Sequence, residues 1–552
     1  MDSEIYRALR SLSISQGLAL PSTAGPWSED ELLLMLDRID AAALSGGEQE
    51  AYDFAEAGLL PKNRNVIFNA TTSLEAKGHT NPDDFTSNDQ YLRHINETRP
   101  FVALDWDFFL TDHAYAFIEI PLTAQLNYMP QGSGDRLPQS SMIGSHVFGF
   151  NAPFFAGSSD FDFNFPYRTF AAFGGKGWSV QAGRERLSWG PGETGNYMIG
   201  SQVHYHNALR TAWYNDTLKY TYIISNFVHP QEYFDSQDGG YDTVRGAVES
   251  IRGLKLFIAH RLEWRTFGGR LGLALSEAIM YQSKDSHISF DVFFPTMLVH
   301  NLYRGENQNS LLTLEADFAF ARRWNLYTQI GIDELAVPWA EETSSEDNAA
   351  KPNQAALMLG VKTEQSLASG MVYASFEASY TSPYLYLEDL IDGTNGDSFV
   401  VANRYHDGAG PLTFPEEFLG YRWGGDALVF NLQGGYRKFG SWNVEGRIMV
   451  MAHGTFDKWT AWKEIYASEI AFLTNRHRGD NYMDENADRR DAISYTTAFS
   501  LFGSYFLQTG LERTGLELYG QADVVWVIYP KNIKASPPAT DVQLTLGVSY
   551  FF

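Results

Sequence analysis

The densest run of residues that could do chemistry is the segment 183–195, which has the sequence Gly-Arg-Glu-Arg-Leu-Ser-Trp-Gly-Pro-Gly-Glu-Thr-Gly. It is not a phosphate-binding loop, because a Walker motif ends in Gly-Lys-Ser/Thr, whose lysine and hydroxyl reach phosphate and magnesium, and neither follows here. Glycines at these positions permit a sharp reversal or a close backbone approach. The segment therefore predicts a structural turn, carried by Arg184, Glu185, Trp189, Gly190, Gly192 and Gly195.

Other chemistries have little support in the sequence. His204 and His206 place two imidazoles on one strand face, but no cysteine and no evident carboxylate ligand accompanies them. The chain contains no cysteine and no Gly-x-Ser-x-Gly nucleophile motif. Paired carboxylates for glycoside hydrolysis need a defined separation across a sugar, and with 67 acidic residues such pairs arise by chance. We predict no catalytic residue, no metal and no cofactor.

The charge balance excludes one class of partner. Lys and Arg number 41 against 67 Asp and Glu, so the net charge is -26. This charge opposes attraction to phosphate backbones, and we predict no nucleic-acid binding. It fits solubility and a hydrated interior better than recognition of a cationic partner.

The predicted secondary structure, which must position these residues, changes from helices to strands near residue 65. From about Val66 onward, short segments of period two are separated by Gly, Asn, Asp and Pro. One such segment alternates the apolar Leu312, Leu314, Ala316, Phe318 and Phe320 with Thr313, Glu315 and Asp317. Carboxylates in mid-strand are costly in a packed sandwich but normal in a wet barrel lumen, where they stay hydrated. We therefore predict a transmembrane β-barrel over a soluble sandwich, with Arg184 and Glu185 in a charged lumen network.

The last predicted strand is the strongest evidence for a barrel. Val542, Leu544, Leu546, Val548, Tyr550 and Phe552 share one face, and Gln543, Thr545, Gly547 and Ser549 share the other. An amphipathic final strand that ends in Phe resembles the signal by which bacterial outer-membrane barrels are recognised for insertion. Tyr550 and Phe552 are the predicted signal residues, with the barrel-insertion machinery and outer-membrane lipid as partners.

The first sixty residues have a helical period. Ile5, Leu9 and Leu12 follow Asp2 and Ser3, and a second helix opens at Ser28, whose spacing to Glu31 is that of a capping box. A third helix is predicted from about Gly47 to Leu60. Packing on one another or on the next domain is favoured over a membrane-active or partner-binding role.

Composition and length agree with two domains, a helical segment 1–62 and a barrel 63–552. Aromatic residues make up 15% of the chain and the mean hydropathy is -0.27, as alternating strands would give. No apolar run approaches the ~20 residues of a membrane-spanning helix. The start lacks the pattern of a signal peptide and suggests a mature chain with an added Met. Roughly 16 to 20 strands fit the length. The predicted long loops are 128–145, 231–244, 339–353, 387–415 and 476–491.

Several ordered motifs resemble those of the Wzi-type capsule assembly proteins of the bacterial outer membrane. The resemblance is spread along the chain and includes the segment 184–195. The further motifs are Pro26-Trp27-Ser28, Phe294-Pro295-Thr296-Met297 with His300-Asn301, Asn309-Ser310-Leu311-Leu312, Ile332-Asp333-Glu334, Ser382-Pro383-Tyr384, Leu419-Gly420-Tyr421 and Gly424-Gly425-Asp426.

The resemblance implies a monomeric barrel of about eighteen strands, in the size range of known outer-membrane barrels, with a helical bundle at its periplasmic end. It also implies lectin-like, non-catalytic binding or anchoring of a capsular or related surface polysaccharide. Residues that combine aromatic faces with hydrogen-bonding groups in loop regions are the predicted sugar contacts: Tyr384, Tyr386, Arg404, Tyr405, His406, Arg422 and Trp423. A porin-type channel or transporter is the main alternative, and a glycan-modifying enzyme is a weaker one.

Overall fold

A computed structural model provides the structure of the chain. It describes residues 3–59, 65–85, 98–122, 127–128, 148–152, 168–203, 205–227, 254–283, 288, 290–293, 308–334, 353–386, 398–402, 416–455, 491–508 and 514–552. The predicted loops 231–244 and most of the other four lie outside these residues. So do Arg404, Tyr405, His406, His204 and the boundary at residue 62 between the predicted domains.

Among the described residues, eighteen long antiparallel strands form one closed barrel, and the alternation predicted a barrel. Each strand pairs with the next along the chain, and the ring closes where the first and last strands pair, from Thr71 opposite Phe551 to His79 opposite Gln543. The strands are β1 (Val66–His79), β2 (Val102–Thr111), β3 (Ala114–Leu122), β4 (Arg168–Gly175), β5 (Trp178–Glu185), β6 (His206–Tyr214), β7 (Leu218–Phe227), β8 (Leu254–Thr266), β9 (Leu271–Ser283), β10 (Gln308–Ala321), β11 (Trp324–Glu334), β12 (Gln354–Ser366), β13 (Met371–Thr381), β14 (Ala427–Lys438), β15 (Trp442–His453), β16 (Ser494–Gln508), β17 (Gly515–Ile528) and β18 (Ala539–Phe551).

The wall alternates as a membrane barrel requires. Leu314, Phe318 and Phe320 of β10 point outward and are 40–48% exposed, and Leu546 of β18 is 56% exposed. Short turns join the strands at one end of the barrel, and exposed outward tryptophans stand next to five of them: Trp178, Trp213, Trp264, Trp324 and Trp442. A ring of interfacial aromatic residues is typical of the membrane boundary. The connections at the opposite end are longer.

Two of the lumen-facing carboxylates depart from the expectation of a hydrated interior, while Asp105 and Asp107 of β2 remain partly exposed. Glu315 is 8% exposed and accepts two hydrogen bonds from Arg261, at 2.6 and 2.7 Å, and Glu377 is fully buried. Protein groups replace water around both side chains, because other segments of the chain fold into the lumen. A buried carboxylate is tolerated when charged and polar partners surround it in this way.

Three helices precede the barrel: α1 (Glu4–Gln16), α2 (Glu29–Leu36) and α3 (Gly47–Leu59). The side chain of Ser3 caps α1 by accepting a hydrogen bond from the Tyr6 amide, and Ser28 caps α2 by accepting one from the Glu31 amide. The Ser28 cap falls where the capping-box spacing predicts it, and α1 begins directly after Ser3, where the helical period begins. Ala8, Leu12, Leu36 and Ala55, among others, form their shared core. No helix among the described residues is long and apolar enough to cross a membrane.

The helices cover the short-turn end of the barrel. The amide of Ala19 donates to the carbonyl of Gly269 at 2.8 Å, and that of Arg323 donates to Ile14 at 3.0 Å. Between α1 and α2 the chain enters the lumen, where Ser22 donates to Glu263 at 2.7 Å. Packing on the next domain is therefore the interpretation that the structure supports.

Candidate functional site

The segment 186–203 between β5 and β6, here called the inward loop, turns into the lumen instead of extending away from the barrel. Its Ser188–Trp189 pair forms a short two-stranded sheet with Ala24–Gly25, and the Gly190 amide donates to the carbonyl of Thr23 at 3.1 Å. Trp189 is fully buried. The loop thus connects the N-terminal segment to the interior of the barrel.

Two glycines allow this loop to fold. Gly190 has a φ of +134°, and a Cβ there would lie 2.2 Å from Oδ1 of Asn196. A Cβ on Gly192 would lie 1.9 Å from the carbonyl oxygen of Gly195. The tight turn expected of this motif is present, and only residues without a side chain fit these two positions.

Glu193 is the electrostatic centre of the inward loop. Its carboxylate lies 2.8 Å from Nζ of Lys362 and 3.3 Å from a guanidinium nitrogen of Arg10, and it accepts a hydrogen bond from Gln433 at 2.9 Å. Burial acts to raise the pKa of Glu193, but Lys362 and Arg10 outweigh it and hold that pKa well below its usual range. One carboxylate thereby joins the loop to α1, β12 and β14.

Glu377 of β13 holds the backbone of the same loop. Its carboxylate accepts hydrogen bonds from the amides of Glu193 and Thr194, at 2.7 and 2.9 Å, and from the hydroxyl of Tyr327 at 2.7 Å. The Thr194 hydroxyl also donates to it. These bonds satisfy Glu377 with groups of the protein, so it positions the loop.

A second layer of inward segments lies between the inward loop and the long-loop end. The hydroxyl of Tyr386 donates to the carbonyl of Tyr197 at 2.7 Å and accepts from the amide of Tyr421 at 3.0 Å. Lys255 of β8 donates to the carbonyls of Ser398 and Val400, at 3.0 and 2.8 Å. The described part of the predicted loop 387–415 therefore lies within the barrel.

The predicted sugar contacts that the structure describes fall into two groups. Tyr386 is fully buried with a φ of +72°, and its ring packs against Phe399 and Phe418, so it has a structural role here. Tyr384, Arg422 and Trp423 are partly exposed at the end opposite the short turns. Among the predicted contacts that the structure describes, these three keep part of their surface exposed, and their binding of sugar stays a prediction.

Arg422 and Trp423 form the best-defined part of this exposed set. The Arg422 guanidinium carbon lies 4.5 Å from the centre of the Trp423 ring, and the Trp423 carbonyl is 3.0 Å from Nε2 of His453. A ring stacked with a guanidinium presents both an aromatic surface and hydrogen-bond donors. Sugar recognition uses both kinds of group.

Arg184 and Glu185, adjacent charged residues at the start of the motif, lie on opposite faces of the wall. Glu185 faces the lumen and accepts two hydrogen bonds from Arg168, at 2.7 and 2.8 Å, so it belongs to a lumen network as predicted. Arg184 faces outward, where it donates to Asn207 at 2.9 Å and stacks on Tyr205 at 4.1 Å. Adjacent residues of a strand alternate between faces, which prevents both from sharing one network.

No separate role was predicted for five residues that position the inward loop. They are Glu193 and Tyr421, which lie within motifs named above, and Tyr197, Lys362 and Glu377. Two of them could have been found from the sequence, because Lys362 of β12 and Glu377 of β13 are charged residues at inward positions of a strand. His206 is buried beside Phe227, with ring centres 5.4 Å apart. Among the described residues, no three His, Asp or Glu side chains are grouped as metal ligands would be.

Comparisons with known proteins agree on the fold. No protein-family model and no curated protein matches the chain. The structure is similar to that of Wzi, an outer-membrane protein involved in group 1 capsule assembly in Escherichia coli and described as a carbohydrate-binding β-barrel. The TM-score is 0.59 at 12% identity, over 99% of this chain and 98% of that chain.

Two further solved structures have lower TM-scores. OccAB4 of Acinetobacter baumannii has a TM-score of 0.37 at 8% identity, over 89% of this chain and 100% of that chain. A BenF-like porin from Pseudomonas fluorescens has a TM-score of 0.37 at 8% identity, over 89% and 99%. The likeness to Wzi shows that the fold is that of an outer-membrane β-barrel.

Proposed function

We propose that this protein is a non-catalytic protein of the bacterial outer membrane that binds, anchors or organises a capsular or related surface polysaccharide. The observation that carries the proposal is the group of segments that fold into the lumen. The inward loop and the second layer of inward segments occupy the part of the lumen next to β8–β14, so we place the binding groups at the long-loop end. The likeness to Wzi, described as carbohydrate-binding, supports the class of ligand.

The partly exposed Trp423 and Arg422 are the contacts on which a test can rest. Wild type should bind at least one acidic or neutral surface polysaccharide on a glycan array. Trp423→Ala should weaken that binding roughly two- to tenfold, since an aromatic contact contributes about 0.5–1.5 kcal/mol. Trp442→Ala is the matched control, because Trp442 is an outward tryptophan at the short-turn end. Failure of wild type to bind any glycan, or equal losses in both variants, would count against the proposal.

A channel or transporter is the competing function. Glu193 and Glu377 hold the inward loop across the lumen by ion pairs and hydrogen bonds, so we expect no stepwise ion conductance from wild type in planar bilayers. A variant with Glu193→Lys places a cation next to Lys362 and Arg10 and should loosen the loop. Large, stable openings from wild type would favour the channel instead.

The cellular location has its own test. In a Gram-negative host, the chain should fractionate with the outer membrane and migrate faster on gels before boiling than after it, because folded barrels resist detergent. Recovery in the soluble fraction would contradict the proposed location.

A further inference from the structure

One sector of the outer wall is covered, unlike the wall beside it. Ile258 of β8 and Ile279 of β9 face outward, opposite to the lumen-facing Arg261, yet they are only 4% and 3% exposed. On neighbouring strands, outward Leu314 and Leu357 are 41% and 43% exposed. Something other than wall strands therefore packs on β8 and β9 from outside.

The described part of the cover is the short helical turn Phe290–Phe293, which follows β9. Val292 is 1% exposed and packs in one apolar cluster with Leu256, Ile258, Ile279 and Tyr281. The hydroxyl of Tyr222, an outward residue of β7, donates to the carbonyl of Phe293 at 3.2 Å. Apolar packing and one polar contact thus fix this turn to the outside of the barrel.

A pair of ionisable side chains lies on the same outward face. Nε2 of His260 is 3.1 Å from a carboxylate oxygen of Glu277, and the Tyr220 hydroxyl is 3.4 Å from Nδ1 of His260. His260 and Glu277 are 3% and 4% exposed. Tyr222 is the cross-strand partner of His260, so Phe293 reaches the row that holds the pair.

The depth of this row places it within the membrane. His260 is four residues along β8 from the interfacial Trp264, which corresponds to about 10 Å along the barrel axis for a tilted strand. The apolar band of such barrels is about 25 Å tall. A charged or polar pair that faced acyl chains at this depth would be unfavourable, and such residues normally pair or face protein.

We propose that Phe290–Phe293 is a strap that lies within the membrane and packs against the outside of the barrel. It does not extend into the water beyond the membrane. The strap keeps acyl chains away from β8 and β9 and from the His260–Glu277 pair. Lipid tails are as apolar as Val292, so close packing and the Tyr222 hydrogen bond, not the hydrophobic effect, hold the strap in place. The barrel then has one lipid-excluding side.

The test uses the full chain in phospholipid vesicles that contain a phospholipid with an aryl diazirine in mid-chain. After illumination, mass spectrometry of the fragments locates the residues that lipid reached. Labelling at Ile258 and Ile279 should be roughly tenfold lower than at Leu314 and Leu357, in proportion to their exposed fractions. Equal labelling at the four positions would overturn the proposal.

A variant tests whether the strap, and not another segment, protects Ile258 and Ile279 from lipid. Val292→Asp buries a charge in the apolar cluster and should release the strap, so that labelling of Ile258 and Ile279 rises toward that of Leu357. Leu314→Asp adds the same charge to open wall and should leave Ile258 and Ile279 protected. Protection that persists in folded Val292→Asp protein, shown by its gel mobility before boiling, would overturn the role of the strap.

Discussion

At the scale of single residues, Glu193 has the largest structural role among the groups of the motif segment. It joins three parts of the chain that lie far apart in sequence, and Lys362 and Arg10 neutralise it inside the barrel. Removal of a largely buried carboxylate of this kind leaves two cations with fewer partners, the buried Lys362 and the partly buried Arg10.

Glu193→Gln should therefore destabilise the barrel interior. We expect a loss of about 3 kcal/mol in the free energy of unfolding, the lower end of what breaking a buried ion pair costs. Guanidinium unfolding of the protein in vesicles measures it. Glu56→Gln, on the exposed side of α3, is the control and should change the free energy little. A Glu193→Gln protein as stable as this control would contradict the role assigned to Glu193.

The same carboxylate predicts a pH dependence. Its pKa in the folded protein lies well below the unfolded value of about 4.3. Stability from its ion pairs is then fully present above pH 4.3 and is lost as the pH falls through the folded pKa. The difference in unfolding free energy between wild type and Glu193→Gln should be constant from pH 8 to about pH 5 and shrink below about pH 4. A difference that shrinks between pH 8 and 6 would contradict this.

At the scale of elements, the inward loop requires glycine where its backbone passes close to other atoms. Gly192→Ala should cost about 1–3 kcal/mol, the range for forced overpacking, because the added Cβ has no room near the Gly195 carbonyl. Gly446→Ala on β15 is the matched control, since a Cβ there meets no atom within 4 Å. The unfolding midpoint of Gly192→Ala should be lower than that of Gly446→Ala. Equal midpoints would show that the loop shifts to make room for the added Cβ.

The last strand carries a second prediction at this scale. The Phe552 amide donates to the Ala70 carbonyl at 2.9 Å, while its ring is 59% exposed and so adds little packing within the barrel. Phe552→Ala should lower assembly in cells while leaving folding of the purified chain into vesicles nearly unchanged. If both fall together, the terminal ring matters for stability and not for recognition.

Sequence patterns predicted the helices and strands better than they predicted which residues lie inside the barrel. Ser3 and Ser28 mark helix starts because capping is local, and outward residues such as Leu314 follow from a period of two. The direction of the inward loop could not be predicted, because it depends on contacts such as that between Glu193 and Glu377, 184 residues apart. Tyr386 was placed among exposed sugar contacts for the same reason, since aromatic type alone does not separate a buried ring from an exposed one.

At the scale of the whole molecule, the strands that close the ring and the segments that enter it belong to one chain. Among the described residues, the eighteen barrel strands, the segment between α1 and α2 and the inward loop all come from this chain, and its N-terminal helices cover one end of the barrel. We therefore expect a monomer in detergent, with a protein mass of 62.1 kDa by light scattering combined with size exclusion. A stable dimer would indicate that part of the outer wall, the strap side included, is an interface between copies.

The pairing of Ala24–Gly25 with Ser188–Trp189 inside a ring closed by β1 and β18 has a topological consequence. Ala24 and Gly25 are enclosed by strands that are synthesised after them. The segment that holds them must therefore be in place by the time the first and last strands join, or else enter afterwards through an open end. If the strands join first, the lumen lacks this segment until it enters.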